Sequence, residues 1–153
     1  MQPYPGLLIA AARRAIKQAV LARIAGRQLT AQQFWLVIGV DEHPGISQAE
    51  LAGRVRADPP AVSRALAALA ERGIVRSTPD PDDRRRTCVH LTPAGRRLAR
   101  DLAPLATEIR EAIVAGMSAE EVAALTAALQ RVVTNLDGLE RRGSVRERAT
   151  SQP

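Results

Sequence analysis

Five times along this chain a Ser, Thr or Asp stands immediately before residues that can open a helix. Thr30-Ala-Gln-Gln33, Ser47-Gln-Ala-Glu50 and Ser118-Ala-Glu-Glu121 have the spacing of a capping box. In that arrangement the hydroxyl accepts from one free backbone N–H, and the Gln or Glu three residues on accepts from another. Asp58-Pro59 and Thr92-Pro93 pair an N-cap with a first-turn proline, where the missing N–H costs nothing. Pro5 is also a good first-turn residue. After it Leu8, Ala11, Ala12, Ala15, Ile16, Ala19 and Val20 form an apolar stripe that ends near Gly26. These signals predict helices over 5–26, from Thr30 to about Glu42 with Phe34, Val37 and Ile38 inward, from Ser47 to about Val55, and from Asp58 to Arg72 with Val62, Leu66 and Leu69 buried. A long helix follows Thr92 with Leu98, Leu102, Leu105, Ile109 and Ile113 on one face, where Pro104 is expected to kink or divide it. The last helix runs from Ser118 to Leu139, and 140–153, which has no apolar period, is expected to be a flexible tail.

One stretch departs from this helical pattern. Ile74–Thr78 and Thr87–Leu91 are β-prone and flank the polar, turn-rich Pro79-Asp-Pro-Asp-Asp-Arg-Arg-Arg86, which predicts a hairpin with a charged tip. Aromatic residues make up only 2% of the chain, so the core has to come from Leu, Val, Ile and Ala, a mixture that favours helix over sheet. The expected fold is mostly α with a small β wing. At 153 residues, one compact unit is expected.

Several classes of function are disfavoured. No apolar run approaches the roughly 20 residues that cross a bilayer, and the N-terminus lacks the charged and apolar regions of a signal peptide, so a cytoplasmic location and no membrane partner are expected. Cys88 is the single cysteine, with only His43 and His90 as further soft ligands, so neither an internal disulfide nor a metal site is expected. There is no Gly-rich phosphate loop and no Ser, His and Asp set at a recognisable spacing. No catalytic residue and no cofactor are therefore assigned.

The charge is unevenly placed. Between Arg54 and Arg100 there are eleven Arg against five acids, an excess of +6 that equals the net charge of the whole chain. That stretch also holds a helix pair joined by a tight turn and followed at once by the hairpin, which is the order of a winged helix-turn-helix. Its second helix is of a kind that enters a major groove with its N-terminal residues toward the bases. Pro60, Ala61, Ser63 and Arg64 occupy those positions. Arg64 suits a bidentate contact to guanine, Ala61 a thymine methyl, and Ser63 a base or phosphate. Arg84, Arg85 and Arg86 at the wing tip suit phosphates or a narrow minor groove. Arg54, Arg56 and Arg72 are read equally as DNA contacts or solvated surface. Asp82 and Asp83 are read as shaping the wing through turn hydrogen bonds, and Arg76 as pairing with a wing acid or touching DNA. A winged-helix module that binds protein instead of DNA is the alternative reading.

The segments Thr30-Ala-Gln-Gln-Phe34, His43-Pro-Gly-Ile-Ser-Gln-Ala-Glu-Leu-Ala52, Val62-Ser-Arg-Ala-Leu66, Leu69-Ala-Glu-Arg-Gly-Ile-Val-Arg76 and Asp80-Pro-Asp-Asp-Arg-Arg85 through Leu91-Thr-Pro-Ala-Gly95 resemble the multiple-antibiotic-resistance regulator (MarR) family of bacterial transcription factors. The resemblance runs over about residues 7–138 and is most specific in the acidic-arginine wing followed by Leu-Thr-x-x-Gly. It implies a winged helix-turn-helix lobe over 30–92 within a single domain. It also implies a homodimer built by long N- and C-terminal dimerisation helices, 5–26 and 93–139, that presents two recognition helices to a palindromic operator. A repressor relieved by a small aromatic or phenolic effector, held between the dimerisation helices and the DNA-binding lobe, is a further implication. For that pocket Phe34 and Trp35 are candidates, although a Trp beside a helical stripe is more often core. Cys88 and His90 alternate on a wing strand, where structural roles are favoured.

Overall fold

The computed structural model describes residues 4–150, with side chains through Leu139. Its order is α1 (Pro5–Arg23), α2 (Ala31–Glu42), α3 (Gln48–Arg54), α4 (Pro59–Glu71), β1 (Val75–Pro79), β2 (Thr87–Leu91), α5 (Pro93–Val114) and α6 (Ala119–Thr150). By its own contacts the chain divides into two units, Met1–Ile113 and Val114–Pro153.

The helix starts form as their sequences dictate. Thr30 Oγ1 accepts from Gln33 N at 3.1 Å while Gln33 Oε1 accepts from Thr30 N at 3.0 Å, and Ser47 with Glu50 and Ser118 with Glu121 repeat the exchange. Asp58 caps α4 by accepting from Ala61 N at 3.2 Å. Within the first unit Phe34, Leu36, Val37 and Val40 of α2 meet Leu51 of α3, Val62, Leu66 and Leu69 of α4, Val75 and Val89 of the hairpin, and Leu102, Ala106 and Ile109 of α5 in one buried core. A Cβ on Gly39 would stand 2.8 Å from Leu51 Cδ1, so glycine is what lets α2 and α3 approach so closely.

The hairpin is antiparallel, with Val75 opposite Leu91 and Pro79 opposite Thr87. Its second strand is also bonded on the other side, because Val89 N donates to Ile46 O at 2.9 Å and Gly45 N donates to Val89 O at 3.1 Å. At the wing base Thr92 Oγ1 accepts from Gly95 N at 3.0 Å, opening α5, and donates to the Gly73 carbonyl. Thr92 N donates to Ile74 O at 3.0 Å. A Cβ on Gly95 would lie 2.0 Å from that Ile74 oxygen. The Leu-Thr-x-x-Gly signature is therefore a clasp, in which Thr92 ties the first helical turn to the first strand and Gly95 leaves room for the contact.

Two expectations change, and one apolar face is left uncovered. Pro104 does not divide α5, which is one helix from Pro93 to Val114. Pro104 and Arg100, whose carbonyl it leaves without its usual helical donor, are both exposed. Of the apolar stripe on α1 only Val20 is buried, and Leu7 and Leu8 are more than half exposed. The backbone of α6 stays helical to Thr150, past Leu139 where the tail was expected to begin, because Glu, Arg and Ala sustain helix without a core face. Residues 151–153 of that expected tail lie outside the described residues. In the second unit Leu125, Leu129, Val133, Leu136 and Leu139 line α6 and are all exposed. Among the described residues no single helix is long and apolar enough to cross a membrane.

Candidate nucleic-acid interface

The helix-turn-helix consists of α3, α4 and the two residues, Arg56 and Ala57, between their caps. Burial of Val62, Leu66 and Leu69 fixes the rotation of α4 and leaves Pro60, Ser63 and Arg64 exposed, with Ala61 half-buried beside them. In the turn, Arg56 N donates to Gly53 O at 3.3 Å and Ala57 N to Ala52 O at 3.1 Å. This geometry requires φ of +50° at Arg56, a left-handed conformation that glycine adopts more cheaply. Sequence reasoning missed this strain, since nothing in Arg-Val-Arg announces it. The side chains of Arg54 and Arg56 are exposed.

The wing is organised by Asp80, an acid of the tip to which sequence reasoning gave no shaping role. Asp80 Oδ1 accepts from Asp82 N at 2.8 Å and Asp83 N at 3.3 Å, and these backbone bonds hold its carboxyl below the usual carboxylate range. Asp83 contributes in the same way, accepting from Arg85 N at 3.0 Å, whereas Asp82 takes part through its backbone. An Asp opening a Pro-rich turn two residues before another turn residue is the signal that could have found Asp80.

The three tip arginines are not equivalent. Arg86 donates to Ser47 Oγ at 3.2 Å and pairs with Glu50 at 3.0 Å and Asp80 at 4.0 Å, so its guanidinium anchors the wing to the start of α3. Glu50 is held below the ordinary carboxylate range first by the Ser47 hydroxyl and then by the Ser47 N–H, with Arg86 adding to them. Among the described residues the side chains of Arg64, Arg84 and Arg85 make no hydrogen bond or ion pair within the chain, and all three are exposed. Arg76 is likewise exposed, opposite His90 in the hairpin. Arg72 has an internal task, donating to Gln28 O at 2.6 Å and Arg27 O at 3.4 Å, which steadies the loop between α1 and α2. Cys88 is buried, and its thiol, pushed up by burial and then by Asp80, donates to Asp80 Oδ2 at 3.6 Å.

Phe34 and Trp35 part company. Phe34 is fully buried in the core. Trp35 meets the Phe34 ring edge-on at 4.9 Å between centroids and 81° between planes, and it lines a cleft of about 790 Å³. The cleft is also bounded by Glu42, His43, Arg54, Arg56 and Arg110. Arg110 donates two bonds to the Glu42 carboxylate, at 2.6 and 3.1 Å, and its guanidinium carbon lies 5.6 Å from the Trp35 ring centroid. Arg110 draws the Glu42 carboxyl below its ordinary range. Nothing in the sequence spacing of Glu42 and Arg110 suggested that they meet. Among the described residues no cluster of His, Cys, Asp and Glu is placed to hold a metal ion.

The MarR family model matches residues 29–87, from the entry to α2 through the whole wing tip. The HTH-type transcriptional repressor NicR of Pseudomonas putida is 32% identical over 106 residues, which cover 69% of this chain and 67% of that one. Among solved structures, Bordetella bronchiseptica BpsR, described with regulation of its DNA binding by 6-hydroxynicotinic acid, superposes with a TM-score of 0.69 at 26% identity, covering 84% of this chain and 97% of its own. A mutant of MarR from E. coli complexed with operator DNA gives 0.68 at 26% identity over 83% of this chain and 91% of the other. A repressor aligned over two thirds of both chains, and a family model centred on the helix-turn-helix and wing just described, place this chain in the MarR family of transcriptional regulators.

Proposed function

We propose that this protein is a homodimeric, cytoplasmic repressor that binds a palindromic double-stranded operator and is released by a small aromatic acid, with no catalytic role. One observation carries the DNA-binding part of this reading. Within a lobe whose Arg72 and Arg86 are spent on internal contacts, Arg64 on the groove-sized helix and Arg84 and Arg85 on the wing remain exposed and uncommitted. Pro60, Ala61, Ser63 and Arg64 then read bases. Arg84 and Arg85 bind phosphates or the minor groove, and Arg54, Arg56 and Arg76 are left as supporting cations. Arg86 moves from the contact set to the scaffold.

The dimer is supported by the apolar residues left uncovered on α1 and, separately, on α6. Two recognition helices are then expected about 34 to 36 Å apart. The effector reading is supported by the cleft beside Trp35, whose 790 Å³ lies within the size range of ligand sites, and by the aromatic acid named with BpsR. A ligand releases DNA only if it binds the two dimer geometries unequally.

The test is a gel shift on the intergenic DNA beside the protein's own gene across a salt series. Specific binding should weaken with a log-log slope of about −0.9 per phosphate neutralised. Arg64→Ala should relax sequence preference while Arg85→Ala weakens all sequences evenly. Absence of duplex binding at low salt refutes the reading.

A further inference from the structure

The Trp35 cleft contains an anion of its own. Glu42, the last residue of α2, holds both oxygens against the Arg110 fork, and that fork lies at cation–π distance from the indole. A guanidinium in this arrangement presents the geometry that any planar carboxylate would use. Trp35 is fixed by its edge contact with Phe34, so its exposed part is a rigid surface beside the fork. Around them the charges do not cancel. Glu42 is matched by Arg110, and Glu50 by Ser47 and Arg86, which leaves Arg54 and Arg56 in excess on the cleft wall.

We propose that Glu42 is a built-in stand-in for the effector: planar aromatic monocarboxylates enter the cleft by replacing the Glu42 carboxylate on Arg110 and laying their ring against Trp35. The inference rests on reading this cleft as the effector site for an aromatic acid, and it adds the residue of this chain that competes with the ligand. Displaced Glu42 retains a cation to turn to, because Arg54 lines the same cleft. Arg54 ends α3 and adjoins the turn of the helix-turn-helix. The exchange therefore transfers a charge contact from α5 to the DNA-reading lobe, which is the differential contact an effector needs.

The chain has one tryptophan, so its emission reports this site alone. Full-length protein, Glu42→Gln and Arg110→Gln are titrated with benzoate and with benzamide, its neutral isostere, following Trp35 fluorescence, with circular dichroism confirming that each variant is folded. Benzoate should bind Glu42→Gln about fivefold more tightly than the parent, the factor that an exposed ion pair near the top of its range supplies. Benzoate should not bind Arg110→Gln measurably, and benzamide should show no gain in Glu42→Gln. Equal or weaker benzoate binding to Glu42→Gln, no benzoate binding to any form, or a matching gain for benzamide overturns the exchange. A gel shift of the ligand-free parent protein run in parallel separates the two ideas. Retained DNA binding with no exchange sinks only this inference, whereas lost DNA binding sinks the regulator reading itself.

Discussion

Replacing Gly95 by Ala places a methyl group 2.0 Å from the Ile74 carbonyl oxygen, where ordinary contacts begin near 3.4 Å, so the wing base has to open by more than an ångström. The displaced carbonyl is also the acceptor for Thr92 N at 3.0 Å and lies 3.2 Å from Thr92 Oγ1. Forcing a methyl into a filled site costs about 1–3 kcal/mol, and each hydrogen bond lost adds about 1 kcal/mol. The expected loss is therefore about 3–5 kcal/mol, a large share of the roughly 5–15 kcal/mol that holds a domain together. For a chain of this size that lowers the melting temperature by about 10 °C, read at fixed protein concentration because a dimer's midpoint depends on it. Gly53→Ala is the internal control. Gly53 lies inside α3, and a Cβ there would meet nothing within 4 Å, so the same substitution should raise stability by about 0.5–1 kcal/mol. Opposite signs support the clasp. A Gly95→Ala melting point within a few degrees of the parent would refute the argument that close approach, and not flexibility, demands glycine at that position.

Arg85→Ala should reduce the salt slope of operator binding by about 1.8, two phosphates per dimer at about 0.9 each, with amide exchange in the wing unchanged. Arg86→Ala should do the reverse, leaving the slope and accelerating exchange over residues 80–88, because it frees the wing from Ser47 and Glu50. Arg56→Gly should stabilise the fold by about 1 kcal/mol in urea unfolding, since it relieves a left-handed arginine. Glu42, Glu50 and Asp80 all have folded-state carboxyls held below their ordinary range. The stability they contribute is present above the unfolded carboxylate value of about 4 and is lost as pH falls through the lower folded values. Wing protection, the exchange rate taken relative to the intrinsic amide rate at each pH, should therefore be flat from pH 7 to about 5 and fall only in stronger acid. A loss of protection already complete at pH 5 would contradict the hydrogen-bond assignments.

The helix starts could be read from sequence because a cap is a local event. Thr30 with Gln33 and Ser47 with Glu50 satisfy each other across three residues, and their partners are fixed by spacing before any tertiary contact forms. The same holds for the buried face of α4. What could not be read depended on pieces far apart in the chain. The stripe on α1 has helical period, yet only Val20 is buried. Periodicity reports that a face is apolar, and it is silent on whether the partner belongs to the same chain.

The site divides along the same line. Arg84, Arg85 and Arg86 are identical in sequence terms, three consecutive guanidiniums on one turn, and reading them as a group was the most that composition allowed. What separates Arg86 is a serine 39 residues earlier: Ser47 is buried, and its hydroxyl, already satisfying the start of α3, accepts from the Arg86 fork that also reaches Glu50. A capping box predicted for local reasons thus has a second, non-local use, because the groups that open α3 also hold the wing. The coupling of wing position to α3 follows from this shared use. Anything that draws on Glu50 or Ser47 acts on both elements at once, and Glu50 also borders the cleft beside Trp35. On the proposed reading an effector there need not push the recognition helix directly, since Glu50, one half of the ion pair that fixes the neighbouring wing, lies on the cleft wall.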